Sequence, residues 1–172
     1  PEDEKQAIRE GLEEGKITHA PEELELQNFC RDVIDELQGL LREGQEIRCH
    51  GADRDTRNVI DKKFLKNILF NLLSNAIKYS GAGNPIDLTL ERRGDSLYIE
   101  VTDYGIGIPA EEQQHLFTRF FRARNVENIQ GTGLGLNIVK RYVELMKGNI
   151  TFESKLGEGT SFQVEIPLIN RR

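Results

Sequence analysis

The chain has 172 residues, 37% hydrophobic and 30% charged, with a formal net charge of -6. That suits one globular domain with a sizeable core, and the acidic balance argues against a nucleic-acid surface or an anionic membrane, both of which call for clustered Lys and Arg. Cys30 and Cys49 form no C-x-x-C pattern and no apolar run reaches the roughly 18 residues of a membrane span, so a soluble protein of a reducing cytosol is expected, even if a longer parent is membrane-anchored. The opening residues are strongly polar as far as Pro21, where a boundary is placed: 1–20 as a fraying helix end and linker and 21–172 as the main domain. From Gln27 to Arg42, apolar Phe29, Val33, Ile34, Leu37, Leu40 and Leu41 recur at helical spacing, with Gly44 as a stop. A second helix is expected from near Asp61, a suitable N-cap, to Ser80, where "GAGNP" ends it. "IDLTLERRGDSLYIEVTD" alternates around a Gly-Asp turn and reads as a hairpin, as does "NITFESKLGEGTSFQVEIPL". Between them, a third helix is expected from Leu134 to Lys147, ending at Gly148. Helices mixed with antiparallel pairs predict a two-layer α/β sandwich with helices on one face of a sheet.

On the second helix Leu65, Ile68, Leu69, Leu72, Leu73, Ala76 and Ile77 share one broad face, while Asn67, Asn71, Asn75 and Lys78 form a stripe opposite, at spacings of four, four and three. A polar stripe usually means a solvated face. Asparagine, however, is a poor choice for an exposed helix interior, and three in register cost helix stability without an evident local gain. Neutral amide oxygens can complete the shell of a Mg²⁺ ion already held by phosphate oxygens, with Lys78 offsetting phosphate charge. Both readings stand on these residues alone.

In the strand before "DYGIGIP", Leu97, Ile99 and Val101 share a face by period two and Asp103 continues that parity, so a carboxylate is aimed toward the core. A buried carboxylate needs a donor. Either Asp103 caps the following turn, or it accepts a hydrogen bond from a ligand amine such as that of adenine, with Gly105 and Gly107 letting backbone approach the base and Ile106 or Ile108 forming an apolar wall. "GTGLGL", from Gly131, is neither a G-x-x-x-x-G-K-[ST] loop nor a completed G-x-G-x-x-G, because Leu136 stands where the last glycine would be. It opens a helix, and so can bring backbone N–H groups to phosphates without a P-loop. Between these stretches, Phe117, Phe120 and Phe121 look like an anchor below a polar lid, with Arg119, Arg122 and Arg124 nearby.

Together the four stretches resemble the ATP-binding catalytic domain of sensor histidine kinases, within the gyrase, Hsp90, histidine kinase and MutL ATPase superfamily. "NLLSNAIKYS" is similar to its N box, "DYGIGIP" to its first glycine box, "LFTRFFRA" to its F box and "GTGLGL" to its second glycine box, in the family's order. The preceding stretch, with "EEGKITHAPEELELQNFCRDVIDEL", resembles the exit from a helical dimerisation domain. The resemblance implies a Bergerat-type fold that binds Mg·ATP and passes its γ-phosphoryl group to a histidine on a separate dimerisation domain of the same parent. It implies Asn75 as the Mg²⁺ ligand, Asn71 beside it, Lys78 and Tyr79 along the nucleotide, and Asp103 and Gly107 on adenine, in the loop that also holds Gly105 and Ile108. It further implies Arg122 at the terminal phosphate, acting in catalysis with Asn71. Gly131, Thr132, Gly133, Leu134, Gly135 and Leu136 would line the phosphate pocket, and Thr160 would sit near the base. By the same resemblance a response regulator would be an indirect partner, the parent a homodimer and this fragment a monomer.

One departure matters. His19 in "THAP", His50 in "CHGA" and His115 in "QHLF" do not resemble the family's phosphoacceptor, which is normally followed by an acidic residue. The chain therefore reads as a catalytic fragment, with a related ATPase or serine kinase, or a pseudokinase docking module, as the competing readings.

Overall fold

The structure, a computed structural model, describes residues 20–51, 57–117 and 134–169. In chain order these form β1 (Glu22–Glu25), α1 (Leu26–Leu37) with a 3-10 turn at Gln38–Leu40, β2 (Ile47–His50), β3 (Arg57–Ile60), α2 (Lys62–Ser80), β4 (Ile86–Arg93), β5 (Ser96–Asp103), a single-turn α3 (Ala110–Gln113), α4 (Leu134–Leu145), β6 (Asn149–Lys155) and β7 (Gly159–Pro167). Five strands make one mixed sheet in the order β2-β4-β5-β7-β6, with β2 parallel to β4 and the other neighbours antiparallel. β1 and β3 pair separately as an antiparallel ribbon.

Alternation decides which face of the sheet is buried. Leu88 and Leu90 of β4, Leu97, Ile99 and Val101 of β5, and Val164 and Ile166 of β7 are at most 1% exposed and pack beneath the helices. The intervening Thr89, Tyr98, Glu100, Thr102 and Gln163 form a polar face. α2 lies centrally against β4, β5 and β7, with α1 and α4 beside it, and its Phe64 ring meets Tyr142 of α4 at 4.7 Å between centroids. Each such fully buried apolar side chain contributes about 1.5 to 3 kcal/mol of transfer free energy. The two-layer sandwich expected from the sequence is the architecture observed. Among the described residues, no helix is long and apolar enough to cross a membrane.

The helix ends show where local chemistry wins. Asp61 caps α2, its Oδ1 accepting from the Phe64 N–H at 2.9 Å, while Oδ2 accepts from the Ala20 N–H at 2.6 Å and so ties the incoming chain to the helix start. At the other end, the buried Gln45 donates through Nε2 to the carbonyls of Ile77 and Gly81 at 3.1 and 2.9 Å, supplying partners to a helix terminus. Two expected ends are corrected. The first helix stops at Leu37 and tightens into the 3-10 turn rather than running to Arg42. α4 ends at Leu145, and its left-handed cap is Lys147 at φ 59°, not Gly148: the Lys147 N–H reaches back to Glu144 O and the Gly148 N–H to Val143 O, a Schellman closure. Gly148 is needed for a different reason, since a Cβ there would lie 2.5 Å from Glu165 O.

Candidate functional site

Three pieces of chain converge at one end of the sheet. The first is the end of β5, where Asp103 is 7% exposed, as its parity with Leu97, Ile99 and Val101 predicts. Across the sheet it is in register with Thr160 of β7, also 7% exposed, and Thr160 in turn with Ser154 of β6. The Asp103 Oδ1 accepts from the Gly105 N–H at 3.0 Å, and the Thr160 N–H also donates to this carboxylate. Among the described residues no side-chain donor or cation reaches it. Burial therefore pushes the Asp103 carboxyl up to about 6, against the opposing pull of those two N–H groups. The turn cap and the ligand acceptor, open alternatives on the sequence, are thus compatible: one oxygen serves the turn, and the carboxylate keeps acceptor capacity to spare.

The second piece is the loop after β5. The Ile106 N–H donates to Tyr79 O at the end of α2 at 3.3 Å, and the Gly157 N–H donates to Ile106 O at 2.8 Å, so the loop is stapled between α2 and the β6–β7 turn. The glycines allow these approaches. A Cβ at Gly105 would lie 1.9 Å from Tyr79 O, and one at Gly107, already at φ 71°, would lie 2.2 Å from Lys155 O. Their close approach is thus to protein backbone, a requirement that holds whether or not a base is also present. Ile108, half-buried against the core, is fixed by its N–H donating to Ser154 Oγ at 2.8 Å. Ser154 Oγ also lies 2.8 Å from Thr160 Oγ1, and Gln113 clamps the loop from outside, donating to Ile108 O at 2.9 Å and Ser154 O at 3.1 Å. Sequence reasoning singled out neither Ser154 nor Gln113. The signal for Ser154 was its parity with Ile150 and Phe152 on the core side of β6.

The third piece is the polar stripe of α2 and the start of α4. Asn71 is 8% exposed, which removes the solvated-face reading at that position. Its Nδ2 donates to Asn67 O at 2.8 Å, and Asn67 repeats the pattern toward Lys63 O at 2.9 Å. These bonds are the local gain that the sequence did not reveal. They leave the Asn71 Oδ1 facing Gly135, where a Cβ would come within 2.9 Å of it. α4 thus starts against the amide stripe, with Leu134 at its first turn and Leu136 packed partly on the core. Asn75 differs from both: half-buried, its side chain makes no hydrogen bond with the described residues. Lys78 and Tyr79 follow on the last turn, both half-buried. Phe117 meets the rings of Phe152 and Phe162 at 5.8 and 6.3 Å, the anchor expected of it. Phe120, Phe121, Arg122, Gly131, Thr132 and Gly133 lie outside the described residues.

The loop after β5 is bonded to the end of α2 and the start of α4 lies against Asn71, so a buried acceptor, an amide stripe and a helix start are linked, a set suited to a nucleotide. The comparisons with known proteins agree. Residues 60–170 match the family described as histidine kinase-, DNA gyrase B- and HSP90-like ATPases. The circadian input-output histidine kinase CikA of Synechococcus elongatus is 37% identical over 163 residues, 91% of this chain and 21% of CikA, so the chain spans about a fifth of that relative's length. The nucleotide-free catalytic domain of the histidine kinase ThkA superposes with a TM-score of 0.71 at 27% identity, over 86% of this chain and 97% of that domain. Full-length ShkA, solved in complex with AMPPNP, gives a TM-score of 0.84 over 97% of this chain and 35% of ShkA, a likeness of fold at 24% identity. With its sandwich, its buried Asp103 and its amide-lined α2, the chain belongs to the histidine kinase-, DNA gyrase B- and HSP90-like ATPase family.

Proposed function

We propose that this chain binds Mg·ATP and transfers the γ-phosphoryl group to a histidine on a separate dimerisation domain of the same parent protein, the first step of two-component signalling. The observation that carries the reading is the Asp103 carboxylate, buried with backbone donors alone among the described residues and set in register with Thr160 at the end of β5. A carboxylate kept at that cost is poised to accept from the exocyclic amine of adenine. Asn75, half-buried and with an amide that bonds none of the described residues, fits a Mg²⁺ ligand, and Asn71 and Lys78 lie along the same helix. Bound there, Mg²⁺ would neutralise charge on the phosphate oxygens. Gly135 at the start of α4 supports the phosphate side, and Arg122 is assigned to the terminal phosphate.

The accompanying assignments belong to the same reading: residues 1–20 as the exit from the dimerisation domain, 21–172 as the catalytic domain, a cytoplasmic setting, a monomeric fragment of a homodimeric parent, and a response regulator as the final acceptor. That CikA, of which this chain spans 21%, is a histidine kinase supports the reading of the chain as part of a longer kinase.

The deciding experiment supplies the cognate dimerisation domain in trans with labelled ATP. The chain is expected to bind ATP without labelling itself, and label should appear on the supplied histidine. Arg122→Ala should leave affinity nearly unchanged and slow transfer by up to roughly 10³-fold, because a charge used in the transition state acts on rate. An ATP-loaded chain that associates with the supplied domain and never labels it would instead be a pseudokinase.

A further inference from the structure

Cys30 on the buried side of α1 and Cys49 on the edge strand β2 are 19 positions apart, yet the fold brings their sulfurs to 2.6 Å. No sequence motif announces the pair. It follows from topology: β2 joins the sheet as the parallel neighbour of β4, and α1 packs over the same strand, so the edge of the sheet and the flank of the helix meet. Both cysteines are free thiols, Cys30 buried and Cys49 exposed. A groove of ≈ 380 Å³ opens at the pair, lined by Gln27, Cys30, Arg31, Ile34, Asp35 and Cys49 among others, so a small oxidant has access.

We propose that Cys30 and Cys49 are a reversible dithiol–disulfide pair, in which Cys49 meets the oxidant and Cys30 resolves the product. The division of roles follows from exposure, and the acidities support it. The neighbouring sulfur and burial hold the Cys30 thiol protonated, whereas its hydrogen bond to Cys49 and the nearby His50 favour the Cys49 thiolate. The oxidant is a hydroperoxide. The Cys49 thiolate attacks the distal peroxide oxygen, the O–O bond breaks, and the alkoxide or hydroxide released takes up a proton, leaving Cys49 as a sulfenic acid. The Cys30 sulfur then attacks the Cys49 sulfur, its proton leaves with the departing hydroxide as water, and the S–S bond forms. In sum two thiols and one hydroperoxide give one disulfide, one alcohol or water, and one further water. A dithiol reverses the change by exchange. The bond would pin α1 to β2 and constrain the unfolded chain between them.

The test uses the reduced 172-residue chain exposed to hydrogen peroxide. The expected product is a monomer lighter by two hydrogen atoms, with the Cys30 and Cys49 peptides linked, a Tm several degrees above the reduced form, and full reversal by dithiothreitol. Cys30→Ala should accumulate a Cys49 sulfenate that dimedone traps, and Cys49→Ser should form neither the bond nor a sulfenate at Cys30. If Cys30→Ala fails to fold, the wild type and the exposed-site Cys49→Ser decide the matter alone. Wild type ending as a Cys49 sulfinate, as Cys49-linked dimers, or with a persistent dimedone-reactive sulfenate would overturn the proposal.

Discussion

Asp103 and Thr160 face each other across β5 and β7, each 7% exposed, and among the described residues the carboxylate so buried is held only by N–H groups, those of Gly105 and Thr160. Burial raises its carboxyl from 3.8 to about 6, so the folded chain binds this proton more tightly than the unfolded chain. The associated stability is present below about pH 4 and is lost as pH rises through about 6, a cost on the order of 3 kcal/mol at neutral pH. Asp103→Asn removes the charge while keeping an oxygen for the Gly105 N–H. The unliganded variant should therefore melt higher than wild type at pH 7.5, with the gap closing toward pH 4, while its affinity for ATP falls by roughly 1 to 3 kcal/mol through a donor–donor mismatch. Melting curves at several pH values and calorimetry check the two halves separately. A pH-independent gap would remove the burial argument, and unchanged affinity in the folded variant would remove the adenine role.

The glycines flanking Ile106 should prove structural by a graded series. Gly105→Ala sets a Cβ 1.9 Å from Tyr79 O, and Gly107→Ala sets one 2.2 Å from Lys155 O at φ 71°. Each should cost about 2 to 4 kcal/mol, because backbone on two elements must shift. Gly83→Ala is the control, at φ 84° with nothing within 4 Å, and should cost only about 1 kcal/mol. Urea denaturation of the unliganded variants gives the comparison, and equal costs for all three would contradict it.

Asn71 and Asn75 sit one turn apart and should separate cleanly. Asn71→Ala loses the bond to Asn67 O and the surface that Gly135 packs against, so it should destabilise the chain by about 1 kcal/mol. Asn75→Ala breaks no hydrogen bond with the described residues, so its Tm should match wild type within a degree or two. Its ATP affinity should lose the Mg²⁺-dependent component. Titrations with and without EDTA test this, and an EDTA effect as large as that of wild type would show that the metal is held elsewhere.

Local signals carried much of this fold. The cap at Asp61, the apolar faces of α1 and α2, and the alternation that buries Asp103 are all written within a few residues of the feature they produce. What escaped depends on distant partners. "IRCH" alternates over only four residues, too short a run to mark β2, and becomes a strand because β4 offers it a parallel edge. "EELE" of β1 is strand only by pairing with "RNVI" of β3. Ser154 and Gln113 act through contacts more than 40 positions away with Ile108 or Ser154 itself, and Cys30 meets Cys49 only through the crossing of α1 and β2. At the site, sequence pattern pointed to Asn71 as ligand-facing. It could not show that the amide nitrogen was already spent on the helix's own backbone.

The carbonyls of Tyr79 and Lys155, which occupy the space where Gly105 and Gly107 would carry side chains, bear on how degenerate relatives are to be recognised. A descendant that had abandoned nucleotide chemistry would still be obliged to keep both glycines, because replacing them damages the scaffold before it touches any ligand. An intact "DYGIGIP" is then a record of architecture, and says little about whether turnover survives. Asn75 is under no such obligation: its amide could drift to alanine or serine with the helix undisturbed. In sorting working enzymes from retired ones, that single position should carry more information than the whole glycine stretch.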